Sequence, residues 1–187
     1  MSLLFSEMGR LCNERGWHLE IAIYGGSALI LDFSYRPASH DIDFHPLSGS
    51  PEQIKMLANE AACNLGMDQV LRESMRDDVS VFVSDCPDHL PHGDFGGACG
   101  QLRVFKASPQ YILAMKVMSM RSSLETHDPF DVWNLLDACG IASKDEAVAL
   151  VEKFYPDMKI PRRNLLILDD LLAAKSQRSP YSAMLGY

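Results

Sequence analysis

Two short segments carry the clearest chemical potential in this chain. Tyr24-Gly25-Gly26-Ser27 follows the apolar run Ile21-Ala22-Ile23 and leads into Ala28-Leu29-Ile30-Leu31. Thirteen residues separate Ser27 from Asp41-Ile42-Asp43-Phe44. The first segment reads as a strand-to-helix turn. Glycines there let the backbone bend and let a ligand approach. The unpaired N–H groups and the dipole of the helix start favour a phosphate, and Ser27 adds a hydroxyl. In the second segment, strand alternation puts Asp41 and Asp43 on one face and Ile42 and Phe44 on the other. Two adjacent carboxylates repel one another, and a magnesium ion both relieves that repulsion and prefers oxygen ligands. Taken singly, the turn is an ordinary capped junction and the Asp pair a solvated strand end. Taken together, they point to a nucleoside triphosphate and a divalent metal. Neither the Walker pattern nor the Rossmann glycine fingerprint is present.

A lysine in an apolar segment is the next unusual feature. Tyr111 to Met120 is apolar nearly all round, and Lys116 has Ile112, Leu113 and Met120 at helical spacing. Its ammonium must reach water or a partner, because an unpaired buried charge is costly. Asp128 and Asp131 open the following helix, with Asp128 expected as N-cap, Pro129 at N1 and Asp131 at N3. Two roles fit Lys116 equally from these residues: a phosphate ligand positioned by Asp131 or Asp128, or a Lys–Asp brace between two helices. Arg121 is a second phosphate candidate.

The elements that must position these groups follow from periodicity and punctuation. Helices are expected at 3–15 (ended by Gly16), 27–33, 51–65, 109–123, 128–139, 144–154 and 164–177, with Pro51 and Ser108-Pro109 as start signals. Strands are expected at 19–24, 41–45, 69–72, 79–84 and 102–106. Residues 85–101, rich in Gly, Pro, Asp and His, read as a long loop, either a lid over substrate or disordered. An α/β first half followed by helices gives an α+β expectation. It comprises a small mixed sheet flanked by helices in residues 1–107 and a C-terminal helical bundle in 108–187 that packs on it.

Composition sets bounds. At 187 residues with 47% hydrophobic and 22% charged residues, the chain can bury a proper core, and one compact domain is expected. A net charge of −8 argues against a broad nonspecific grip on nucleic acid. A local basic edge from Lys159, Arg162, Arg163, Lys175 and Arg178 competes with an ordinary solvated face. No apolar stretch reaches the length of a membrane span, and the first residues lack a signal-peptide layout, so a cytoplasmic protein is expected. The five scattered cysteines (Cys12, Cys63, Cys86, Cys99 and Cys139) suggest reduced, buried thiols.

On Gly26-Ser27 and Asp41-Ile42-Asp43-Phe44 the chain resembles the polymerase-beta-type nucleotidyltransferase superfamily. Arg36, and the stretch from Tyr111 through Lys116 and Arg121 to Asp128 and Asp131, are similar to motifs of its AbiEii-like branch, which includes toxins of type IV toxin–antitoxin systems. The resemblance covers residues from about 18 to 137. It implies an enzyme that moves a nucleoside monophosphate from a nucleoside triphosphate to an acceptor: tRNA, a protein side chain or a small molecule. It implies Mg²⁺ (or Mn²⁺) on Asp41 and Asp43, phosphates on Gly25, Gly26, Ser27, Arg36 and Arg121, catalytic roles for Lys116 and Asp131, and an antitoxin-like protein partner. Many members add a third carboxylate from a later strand. Leu102 to Lys106 offers none, leaving Asp77, Asp78 and Asp85 as substitutes. Two alternatives stand beside this. A catalytically degenerate relative would bind a nucleotide or a partner only. A metal-dependent phosphohydrolase would use His40, His45, His89 and His92 with the Asp pair.

Overall fold

A computed structural model describes residues 1–33, 41–67, 75–97, 100–120 and 127–176. Arg36, His40, Cys99, Arg121, Arg178 and the strand expected at 69–72 lie outside them. The fold is α+β. Its elements are α1 (Ser2–Arg15), β1 (Leu19–Ile23), α2 (Gly25–Asp32), β2 (Ile42–Ser48), α3 (Pro51–Asn64), β3 (Met75–Arg76), a 3₁₀ turn (Asp78–Phe82), β4 (His89–Phe95), β5 (Leu102–Ala107), α4 (Pro109–Ser119), α5 (Asp128–Ala138), α6 (Lys144–Phe154) and α7 (Arg162–Ser176). They form two compact units: Met1–Val81 with Asp88–Ala107, and Phe82–Pro87 with Ser108–Tyr187.

The first unit is built on a mixed five-stranded sheet in the order β3-β2-β1-β5-β4. β1 runs parallel to β5 and antiparallel to β2, β4 runs antiparallel to β5, and β3 runs parallel to β2. Alternation gives the sheet two unlike faces. Leu19, Ile21, Ile23, Phe44, Leu102 and Val104 are buried on one of them. Helices α1 and α3 supply the remaining core through Phe5, Met8, Leu11, Ile54, Leu57 and Ala61. Helix α1 lies close to β4 at Gly9, where an added Cβ would stand 2.5 Å from the amide nitrogen of Gly96. The other face carries Asp43, His45, Ala22, Phe105, Ala107 and His89.

The second unit centres on α4, whose residues from Tyr111 to Val117 are all buried. Ser108 caps its start by accepting from the Tyr111 N–H at 3.2 Å. Its end is closed from α7. Asn164 Nδ2 donates to the carbonyls of Val117 and Met118, both at 2.9 Å, and Arg163 donates to that of Met120 at 2.8 Å. These bonds satisfy carbonyls that a helix terminus leaves without partners. Ser143 and Glu146 form a capping box at α6.

Several sequence expectations change. The segment expected as a strand at 79–84 is instead mostly the 3₁₀ turn. Its valine alternation signals strand propensity, but Val81 is 82% exposed, so burial does not reinforce the pattern. Residues 85–101 are not one loop, because His89–Phe95 pairs with β5. β4 is an edge strand, where Pro91 withdraws no needed donor, and its register shifts between Pro91 and Gly93. Helix α5 begins at Asp128, with His127 in the cap position, so Asp128 is not the N-cap and Asp131 falls one place later than expected. Among the described cysteines, Cys12 is buried and Cys139 half-buried, but Cys63 and Cys86 are exposed. No helix among the described residues is long and apolar enough to cross a membrane.

The close approach at Gly9 yields a stability test. A valine there must push backbone rather than a flexible side chain, so Gly9→Val should cost about 1–3 kcal/mol in urea denaturation. An unchanged midpoint would mean that α1 does not sit against β4.

Candidate functional site

The strand-to-helix turn and the Asp pair are one physical site. Tyr24, in extended conformation, is the cap residue of α2, and its N–H donates to the Asp43 carbonyl at 2.9 Å. Gly25 follows with φ of +57°, a left-handed conformation that favours glycine. A Cβ there would also lie against the Asp43 carboxylate oxygen, which would have to move aside. Ser27, fully buried, donates its hydroxyl to the Asp41 carbonyl at 2.6 Å. Gly25, Ser27, Asp41 and Asp43 are therefore clasped together, with Gly26 buried between Gly25 and Ser27. The Asp43 carboxylate stands at the positive end of the α2 dipole, which favours a negative charge there.

Strand β3 adds a residue that sequence reasoning missed. Arg76 is registered opposite Asp43, and its Nε lies 2.8 Å from Asp41 Oδ1. The hydrogen bond to Asp41 chiefly raises the Arg76 pKa, and the charges of Asp41, Asp78 and Asp43 raise it further. Of the three substitute carboxylates, Asp78 is thus the one in the surroundings of Arg76 that Asp41 and Asp43 share. Asp77 pairs with Lys55 of α3, and Asp85 belongs to the Phe82–Pro87 segment of the second unit.

The same sheet face carries two histidines held by hydroxyls. His45 Nδ1 is 2.8 Å from Ser80 Oγ, and His89 Nε2 is 2.5 Å from the Tyr24 hydroxyl. Burial lowers the pKa of both. For His89 the neighbouring His45 lowers it further, while Asp88 opposes. His92, by contrast, stands edge-on to Phe5 of α1, with ring centroids 6.2 Å apart. His89 and His92 therefore serve different surroundings rather than one metal. No group of three or more His, Cys, Asp or Glu side chains among the described residues is placed to hold a metal ion. Asp41 and Asp43 nonetheless supply hard oxygen donors, and the Asp41 side chain is 44% exposed, so water can complete an octahedral shell. These residues fit Mg²⁺ or Mn²⁺.

Lys116 belongs to the second unit. Its Nζ lies 2.8 Å from Asp128 Oδ1 and 2.9 Å from Asp131 Oδ2, joining α4 to α5. Lys116 is 9% exposed and Asp131 0%. Both carboxylates named in the sequence meet the lysine, and within this unit they brace the helix pair.

No protein-family model matches the chain, and no curated protein matches it.

Two predictions follow from these charges. Lys116→Met removes the cation from two carboxylates, one of them fully buried, and should cost about 3–5 kcal/mol in chemical denaturation. A neutral result would exclude the brace. Acidification should act through His89 and His92, whose folded pKa values lie below 6.5. Below that value the unfolded chain binds more protons than the folded one, so their stabilising contribution is present above it and is lost as pH falls through the folded pKa. The Tm should therefore fall as the pH is lowered through and below 6.5, and His89→Gln should flatten the profile in that window. A flat wild-type profile across that window would show that the histidines are not buried neutral.

Proposed function

We propose that this protein is a magnesium-dependent nucleotidyltransferase that moves a nucleoside monophosphate from a nucleoside triphosphate to an acceptor. The observation that carries this is the clasp: the Gly25 turn, the buried Ser27 and the Asp41–Asp43 pair meet at one helix N-terminus. That geometry supports the superfamily resemblance, because phosphate-binding amides and metal-binding carboxylates must be neighbours for this chemistry.

The reaction is an in-line displacement. A hydroxyl or phosphate of the acceptor attacks the α-phosphate, and pyrophosphate leaves. Asp41 and Asp43 would hold Mg²⁺ or Mn²⁺, an ion that neutralises phosphate charge and favours the attacking oxygen. The N–H groups at the start of α2 bind the departing phosphates, with the helix dipole behind them. Ser27 keeps Asp41 in place by bonding its carbonyl. Arg76, already among these carboxylates, offers its guanidinium to phosphate oxygens when a nucleotide arrives. Acceptors in keeping with the resemblance are tRNA, a protein side chain or a small molecule, and an antitoxin-like partner would suit a toxin of the AbiEii-like branch.

The Arg76–Asp41 ion pair also favours a second reading. A guanidinium that neutralises Asp41 lowers the need for a cation, as in a protein that binds a nucleotide or a partner without transfer.

Calorimetric titration with each nucleoside triphosphate, with and without Mg²⁺, separates these readings when combined with a labelled-transfer assay on total tRNA and the protein itself. Asp41→Ala and Asp43→Ala should each lower transfer by at least about 100-fold and remove the magnesium dependence of binding. Binding that persists in both variants, with no transfer by wild type, would select the binding-only reading.

A further inference from the structure

Three hydroxyls of the first unit contact the Asp41 carbonyl or the two histidines on the sheet face that carries Asp43. Ser27 is fully buried and already donates to the Asp41 carbonyl. Tyr24 is fully buried, with its hydroxyl against His89. Ser80 differs from both, being only half-buried and held by a ring nitrogen, His45 Nδ1, at 2.8 Å.

The backbone brings Ser80 to this place by a defined route. β3 pairs with β2 so that Arg76 faces Asp43. The chain then folds back in the 3₁₀ turn, with the Ser80 N–H donating to the Asp77 carbonyl at 3.0 Å. This returns Ser80 to β2 at His45, on the same face of the strand as Asp43. Two residues along a strand span roughly 7 Å. A nucleotide phosphate at Asp43 and a hydroxyl held at His45 would therefore be neighbours on one face of the strand. The hydrogen bond to the His45 ring holds the Ser80 hydroxyl in place while the residue stays partly open to solvent.

We infer that Ser80 is an acceptor for this site, so that the protein nucleotidylates its own 3₁₀ turn. The inference rests on the nucleotidyltransferase reading and names one acceptor for it. Ser80 Oγ forms a bond to the α-phosphorus of a nucleoside triphosphate. The bond from that phosphorus to the bridging oxygen breaks, and the electron pair leaves with pyrophosphate. The hydroxyl proton passes to water. The product is a serine phosphodiester carrying a nucleoside monophosphate beside Asp43 and Arg76, where it would obstruct entry of a second nucleotide.

The test uses the full chain incubated with each of the four ribonucleoside triphosphates and Mg²⁺ or Mn²⁺. Intact-mass measurement, peptide mapping and pyrophosphate release are read in parallel, with and without added total tRNA. The expected result is a mass gain of one nucleoside monophosphate on the peptide holding Ser80, lost in Ser80→Ala and in Asp43→Asn. Ser80→Thr, which keeps a hydroxyl, should carry the adduct on the threonine and guards against a folding defect in the alanine variant. Pyrophosphate release or transfer to tRNA without modification of Ser80 overturns this inference and leaves the nucleotidyltransferase reading standing. An adduct that persists in Ser80→Ala does the same. Absence of both pyrophosphate release and any adduct overturns the two together.

Discussion

The absent side chain at Gly25 is the constraint on which the candidate site depends. Residue 25 must turn the backbone into the left-handed region and also leave room for the Asp43 carboxylate. A side chain there would strain the backbone and displace the Asp43 carboxylate. Once the turn is made, Ser27 can reach back to the Asp41 carbonyl and Tyr24 can extend the ladder to Asp43. The helix start and the acidic strand are thus held in a fixed relation by backbone and near-backbone contacts. That relation survives rearrangement of the longer side chains around it, such as Arg76.

The chain places its charges by two different devices. In the first unit Asp41 and Asp43 stand at the sheet margin, where a helix dipole and a guanidinium offset them and solvent reaches at least one of them. In the second unit the charges are taken into the interior, where Lys116 lies between Asp128 and Asp131. An exposed cluster can exchange partners for a ligand at small cost, whereas a buried one cannot do so without leaving a charge uncompensated. By that measure the first cluster can take up a ligand more readily than the second.

How much of this was legible in the sequence depended on whether a signal was local. Helices α3 and α4 announce themselves because Pro51 and Ser108-Pro109 are local start signals. The glycine turn and the Asp pair are legible for the same reason. β4 is hidden because an edge strand tolerates the proline and glycine that mark loops elsewhere. β3 is hidden because two residues carry no period at all. The contacts of Arg76 with Asp41, Ser80 with His45 and His89 with Tyr24 each join distant parts of the chain. No spacing rule reports such pairs, and they become visible only once strand order is known.

That strand order has a further consequence for synthesis. β5 lies between β1 and β4, with β1 as its parallel neighbour, yet it is the last of the five strands to be made. Before it can dock, the chain has left the first unit at Phe82 and returned at Asp88. A nascent chain ending near residue 100 therefore holds α1, β1, β2 and α3 with no partner on the β5 side of β1. Its strand edge stays open until β5 has been made and has left the ribosome. Pairings of this sequence separation form late and leave sticky surface exposed meanwhile. The open edge of β1 is thus the place where an incomplete chain is most exposed to wrong pairings.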